Sequence, residues 1–307
     1  MKNLTRKLML SIVAIALVVI ALGTSTFAWF TLSNKASVGQ FNAEVTAGEG
    51  MELSLDQATW YSSIPSSVIQ AKIQANFTAA SGALNVANEP ILTAVTTADA
   101  LAFNKLKADQ SGWEAATANV DFIKIKIYVR AVKLNTVAID SITVTGNSGS
   151  WTADATFLGT DGNTVDAEDV LTVSAANGAR VGISGATGVY STPFVYENAA
   201  STSAPLNTVL GGTIPTVLNG QADYFLNKNE VNPNLITGAP SSVIGSVTEV
   251  LTTSPIKVID LTAGTTHNTG NFDLLVWFEG FDPDTYDSIL KMPLNIKMSF
   301  IGSIVTP

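Results

Sequence analysis

The sequence predicts an all-β protein, an antiparallel β-sandwich with long loop or small-helix insertions, preceded by an apolar helix at the N-terminus. Three observations carry that prediction. Val, Thr, Ile, Ala, Ser and Gly dominate the 307 residues, and this composition favours strands and tight turns over long helices. Several segments alternate strictly between apolar and polar side chains, the period of a strand with one buried face. These segments follow one another through Gly- and Pro-bearing loops without the regular βα alternation of a parallel sheet. Hydrophobic residues make up 46% of the chain and charged residues 13%, enough apolar surface to build a core and too little charge for global disorder.

The N-terminal stretch sets the destination. Lys2, Arg6 and Lys7 give a basic tip, and the apolar run from Leu8 to Leu22 is broken only by Ser11. That run suits a secretory leader and is short for a membrane span. Gly23-Thr24-Ser25-Thr26 ends the helical pattern, and Thr26 and Ala28 put small side chains at −3 and −1 of a cleavage site. Cleavage is therefore expected between Ala28 and Trp29, making residues 1–28 a signal peptide and 29–307 a single domain. The alternative is a retained anchor with Trp29 at the membrane interface. A type IV pilin is disfavoured, because its apolar helix follows the processing site.

Within the body, Phe41 to Leu55 reads as two short strands around Gly48-Glu49-Gly50, with Met51, Leu53 and Leu55 on one face. Residues 56–118 are less regular, and Ser66–Asn76 and Ala98–Lys107 are read as short helices or Ala-rich turns. Asp121–Lys133 is the clearest strand. Ile123, Ile125, Ile127 and Val129 point one way; Lys124, Lys126, Tyr128 and Arg130 point the other. The basic stripe is read as a solvated face that deters edge-to-edge pairing. Val137–Thr145, Trp151–Phe157, Val170–Ser174, Gly178–Ser184, Ile256–Leu261, Phe272–Phe278 and the alternating Leu294–Phe300 supply further strands. Residues 191–255, rich in Ser, Thr, Asn, Pro and Gly, read as a long surface insertion.

Charge and chemistry narrow the function. The net charge is −9, and three of the cations lie in the leader, which excludes nucleic acid and anionic lipid surfaces as partners. The membrane is met only through the leader before cleavage. There is no Cys and one His, His267, so thiolate nucleophiles, multi-His zinc sites and Ser-His triads are missing. No phosphate-binding Gly-rich motif occurs. Paired carboxylates could run glycoside hydrolysis, but spacing alone does not pair them. Two acidic loops are calcium candidates, Asp161, Asn163 and Asp166 in one and Asp282, Asp284 and Asp287 in the other, since clustered carboxylates and carbonyls suit calcium. Neither matches an EF-hand, and no other cofactor is expected.

Both ends of the chain resemble known secreted proteins. Thr26, Ala28 and Phe30 at the exit, then Phe41, Ala47-Gly48 and the strand Met51–Leu55, resemble the TasA/camelysin family of secreted bacterial proteins. Leu275-Val276-Trp277-Phe278-Glu279-Gly280-Phe281-Asp282-Pro283-Asp284 is similar to the W-x-E-G-x-D-P-D ending of secreted proteins with the same N-terminal style. The resemblance implies a jelly-roll-like sandwich, maturation by a dedicated signal peptidase, and self-assembly into cell-surface or biofilm-matrix fibres. It also implies donation of the mature N-terminal segment as a strand to the next subunit, with Trp29, Phe30, Leu32 and Phe41 as its apolar contacts. The protease activity implied by the name camelysin is not carried over, because His267 alone cannot support zinc chemistry. The expectation is a secreted, extracellular structural protein without catalysis. The alternatives are a monomeric cell-surface adhesin or binding module using residues 191–255 and, behind it, a carboxylate-based hydrolase.

Overall fold

The computed structural model describes residues 35–37, 41–48, 50–109, 111–158, 163–184, 194–198, 227, 255–280, 285 and 292–304. The leader, the Ala28–Trp29 junction and most of 191–255 lie outside them. The described residues are mostly strand: the protein is all-β, with sheets of mixed pairing and few helices.

In chain order the elements are β1 (Lys35–Ser37), β2 (Phe41–Ala47), β3 (Met51–Ser54), β4 (Ser63–Ile64), α1 (Ser66–Ala79), β5 (Ile91–Thr97), β6 (Phe103–Leu106) and β7 (Trp113–Ala115). There follow β8 (Ile123–Ala131), β9 (Thr136–Gly146), β10 (Ser148–Thr152), β11 (Phe157–Leu158), β12 (Thr164–Val165), β13 (Val170–Ser174), α2 (Ala175–Gly178), β14 (Ala179–Ser184) and β15 (Phe194–Glu197). The described chain closes with β16 (Ile256–Asp260), β17 (Asn268–Glu279) and β18 (Leu294–Ser303).

A nine-stranded sheet runs β15-β14-β17-β5-β6-β7, with β1 on β5 and β8 linking β17 to β3. A five-stranded sheet runs β16-β9-β18-β2-β4. The expected uniformly antiparallel pairing is corrected at two places: β2 lies parallel to β18, and β5 meets β17 in parallel at Ala94–Phe278 and Val95–Glu279. In both cases the partners are far apart in sequence, so no tight hairpin dictates an antiparallel approach.

Alternation explains the core. Ile123, Ile125, Ile127 and Val129 of β8 are all buried, as are Leu294, Ile296, Met298 and Phe300 of β18. On β9 the buried residues shift from odd to even, Val137 and Ile139 and then Ile142 and Val144. A register shift opposite Ser299 and Phe300 skips Asp140 and resets the inward face. Phe272 of the nine-stranded sheet meets Phe300 of the five-stranded sheet at 5.2 Å between ring centroids, so both sheets feed one hydrophobic cluster.

Several expectations about the insertions change. Residues 56–118 hold regular elements. The helical reading of Ser66–Asn76 holds as α1, which runs on to Ala79; its Ile69, Ile73 and Phe77 fall on one face and join the main core. Of the two readings given for Ala98–Lys107, helix or Ala-rich turn, the turn is the one found, and it leads into β6. Thr97 Oγ1 accepts the N–H groups of Asp99 and Ala100, and Asp99 Oδ1 accepts those of Leu101 and Ala102. These local bonds compete with helix. Ser54 and Asp56 build the same turn for Asp56, Gln57, Ala58 and Thr59. Within the stretch 191–255 read as a surface insertion, Phe194–Glu197 form a core strand, since all four residues of β15 are buried.

Candidate functional site

The W-x-E-G segment of β17 sits on the face of the nine-stranded sheet opposite the main core. Trp277 and Glu279 are two residues apart, so their side chains share that face. The Trp277 indole N–H donates to Glu279 Oε2 at 3.1 Å, with both side chains buried. Gly280 then passes against Val95, donating its N–H to the Val95 carbonyl at 2.8 Å. The ring of Trp277 lies over Gly182 of β14, where an added Cβ would come within 2.9 Å of it. Thus Gly182 is required by close packing.

Above Trp277 the chain from β6 to the start of β8 forms a second, smaller core. Phe103 stacks on Phe122 at 4.1 Å and meets Trp277 edge-on at 5.3 Å, arrangements that aromatic quadrupoles favour. Val95, Ala100, Val195 and Leu275 complete it. Beside it on the same face, Arg180 Nη2 and Glu197 Oε2 form an ion pair at 2.9 Å with both side chains almost fully buried. Arg180 also donates to the carbonyl of Asn177.

A cleft of about 290 Å³ opens between this small core and the sheet. Ala100, Leu101, Ala102, Ala115 and Ala116 form its apolar walls; Asn104, Lys124, Ser184 and Asp273 supply polar groups. Asp273 receives Lys124 at 3.1 Å and meets Lys126 at 2.9 Å as an ion pair without hydrogen-bond alignment. Arg130 binds Glu52 at 2.7 Å and lies 4.4 Å over the Trp60 ring. The three cations of the β8 stripe are therefore paired with two carboxylates on its neighbours, Asp273 and Glu52. At Tyr128 and Arg130 the stripe guards no edge, because there β8 is paired to β3 on one side and to β17 on the other; at Lys124 and Lys126 β8 is paired to β17 alone.

The other sequence candidates do not converge. Phe41 opens β2, which pairs with β18 along its length and with β4 at Val45 and Thr46; Trp29, Phe30 and Leu32 lie outside the described residues. Of the calcium candidates, Asn163 and Asp166 are exposed, and the Asp166 backbone N–H donates to Asp169 Oδ2 at 2.9 Å. Asp161, Asp282, Asp284 and Asp287 lie outside the described residues. Among the described residues no three His, Cys, Asp or Glu side chains gather as a metal site. His267 is half-buried in the loop before β17. Sequence reading missed Arg180, Glu197 and the Phe103–Phe122 pair. The one signal for Arg180 was a cation inside an otherwise apolar strand.

No family model matches the chain, and no curated protein or solved structure matches it either.

Proposed function

We propose that this protein is a secreted structural subunit of an extracellular fibre, a jelly-roll-like sandwich that assembles by exchange of its N-terminal segment. Four features support the reading. The leader pattern and the Thr26–Phe30 exit favour export. The chain has no thiol and a single imidazole, which leaves little for nucleophilic or zinc catalysis. Two large sheets contribute to one core, as a sandwich requires.

The observation that carries the assembly mode is β1. It pairs with β5 through only three residue pairs, Lys35–Thr93, Ala36–Leu92 and Ser37–Ile91. The same antiparallel pairing made to the β5 of a neighbouring copy would link subunits at little energetic cost. Phe41 is reassigned in this reading: it belongs to a strand that builds its own subunit's sheet, so the donated segment ends before β2. Gly48 supports that boundary, since its backbone passes so close to Phe300 that an added Cβ would lie 2.9 Å from the Phe300 carbonyl oxygen.

The test images two versions by negative-stain microscopy, one beginning at Trp29 and one at Phe41, each checked for β-sheet content by circular dichroism. Filaments from the first and none from the second are expected. Dispersed monomers from both at high concentration would sink the fibre reading. The runner-up, a monomeric binding module, would then rest on the Lys124–Asp273 cleft.

A further inference from the structure

We infer that Lys105 and Asp121 are placed to form an intramolecular amide cross-link, with Glu114 moving the protons. Lys105 lies on β6, and Glu114 is its register partner on β7. Asp121 precedes β8, which starts from the floor of the small aromatic core. The Lys105 ammonium is 2.8 Å from Asp121 Oδ1 and 3.6 Å from Glu114 Oε1. The Asp121 side chain is 4% exposed and that of Lys105 22%, whereas Glu114 reaches solvent at 45%. Next to them, Phe103 and Phe122 form an apolar wall that limits water.

Two further contacts shape the carboxyl group. The Thr117 N–H donates to Asp121 Oδ2 at 2.8 Å, and the Thr93 hydroxyl donates to Oδ1 at 3.1 Å. A preset backbone donor on one oxygen stabilises the tetrahedral oxyanion that forms when an amine attacks the carboxyl carbon. In the reaction Glu114 takes a proton from the ammonium and passes it to Asp121 Oδ1. The neutral amine nitrogen then bonds to Cγ of the resulting carboxylic acid, and the C=O electron pair moves onto Oδ2, which holds negative charge against Thr117. The Cγ–Oδ1 bond breaks, and Oδ1 leaves as water with two of the three ammonium protons, delivered through Glu114. Glu114 ends as the carboxylate it began as. One amide and one water replace one ion pair; nothing is oxidised or reduced, and no co-reactant is consumed. Condensation in water is ordinarily opposed, but held partners reach effective molarities of about 10⁵–10⁸ M, far above that of water itself.

The consequence is a covalent staple in a chain without disulfides. The β6–β7 hairpin joins the large sheet through two pairs only, Thr96–Asn104 and Thr97–Phe103. An amide from Lys105 to Asp121 would tie that hairpin to the root of β8.

Tryptic mapping of the full chain after incubation at neutral pH decides the matter. Cleavage after Lys105 is blocked by the cross-link. The expected product is Ile73–Lys107 joined to Ala108–Lys124, lighter than the two peptides together by one water. Glu114→Gln retains both reactants and is expected to slow cross-linking about a hundredfold or more. Lys105→Arg, which keeps a cation beside Asp121, should give only separate peptides. Separate Ile73–Lys105 and Ala108–Lys124 peptides from the wild-type chain, with circular dichroism showing folded β-sheet, would overturn the proposal. Undiminished cross-linking in Glu114→Gln would overturn the role given to Glu114.

Discussion

The core between the two large sheets and the small core on the outer face of the nine-stranded sheet are built on different rules. The first is assembled by alternation: β8, β17 and β18 each send every second side chain inward, β9 does so on either side of its register shift, and the sum of many such residues holds the fold. The second depends on a few specific fits. Trp277 over Gly182, Phe103 on Phe122, and the Arg180–Glu197 pair leave little tolerance for change. Redundant hydrophobic burial therefore carries the fold, and singular contacts shape the outer face where the cleft and the Lys105–Asp121 pair lie.

That contrast can be broken from either side. Phe272→Ala removes a fully buried ring at the junction of the two sheets, and a loss of about 3–5 kcal/mol is expected from denaturant unfolding. Glu197→Ala leaves Arg180 buried without its carboxylate and should cost a similar 3–5 kcal/mol or so. If Glu197→Ala costs under about 1 kcal/mol, the outer face relaxes more freely than this contrast allows. Gly182→Ala forces a methyl against Trp277 and should cost about 1–3 kcal/mol. Fluorescence of the buried indole should shift with it.

The smallest effect belongs to a turn. The backbone N–H groups of Thr59 and Ala58, and then the Ser54 hydroxyl, hold the Asp56 carboxyl below its ordinary range. A lowered folded value means that Asp56 stabilises the turn above the unfolded value of about 3.9, and that this contribution is lost as pH falls through the folded value. Asp56→Ala should therefore lower Tm slightly at neutral pH and not at all in strong acid. An equal Tm difference at both pH values would contradict the assignment.

Much of the main core was legible because a strand with one buried face writes its period into the sequence. The alternation over Ile123–Val129 and Leu294–Phe300 predicts the buried faces that the structure shows, although β8 is shorter than the expected Asp121–Lys133 and β18 runs on to Ser303. The outer core was not legible, because its parts come from distant segments whose local pattern is weak. Phe103 sits after an Ala-rich turn fixed by Thr97 and Asp99, a stretch whose composition fits helix and turn equally and gives no sign of the strand that follows. Glu197 follows a stretch whose Ser, Pro and Asn content resembles a loop, so its pairing with Arg180 depends on strand order. The parallel pairing of β2 with β18 was equally hidden, since no local signal reports which edge a distant strand will choose.

The most direct measurement of the assembly account uses the version beginning at Phe41 as an acceptor and a synthetic peptide of residues 29–40 as the donor. Titration followed by calorimetry and analytical ultracentrifugation is expected to give one peptide bound per monomer, and the same peptide should stop filament growth by the chain that begins at Trp29. Absence of peptide binding, or filaments formed by the Phe41 version alone, would contradict assembly through the N-terminal segment.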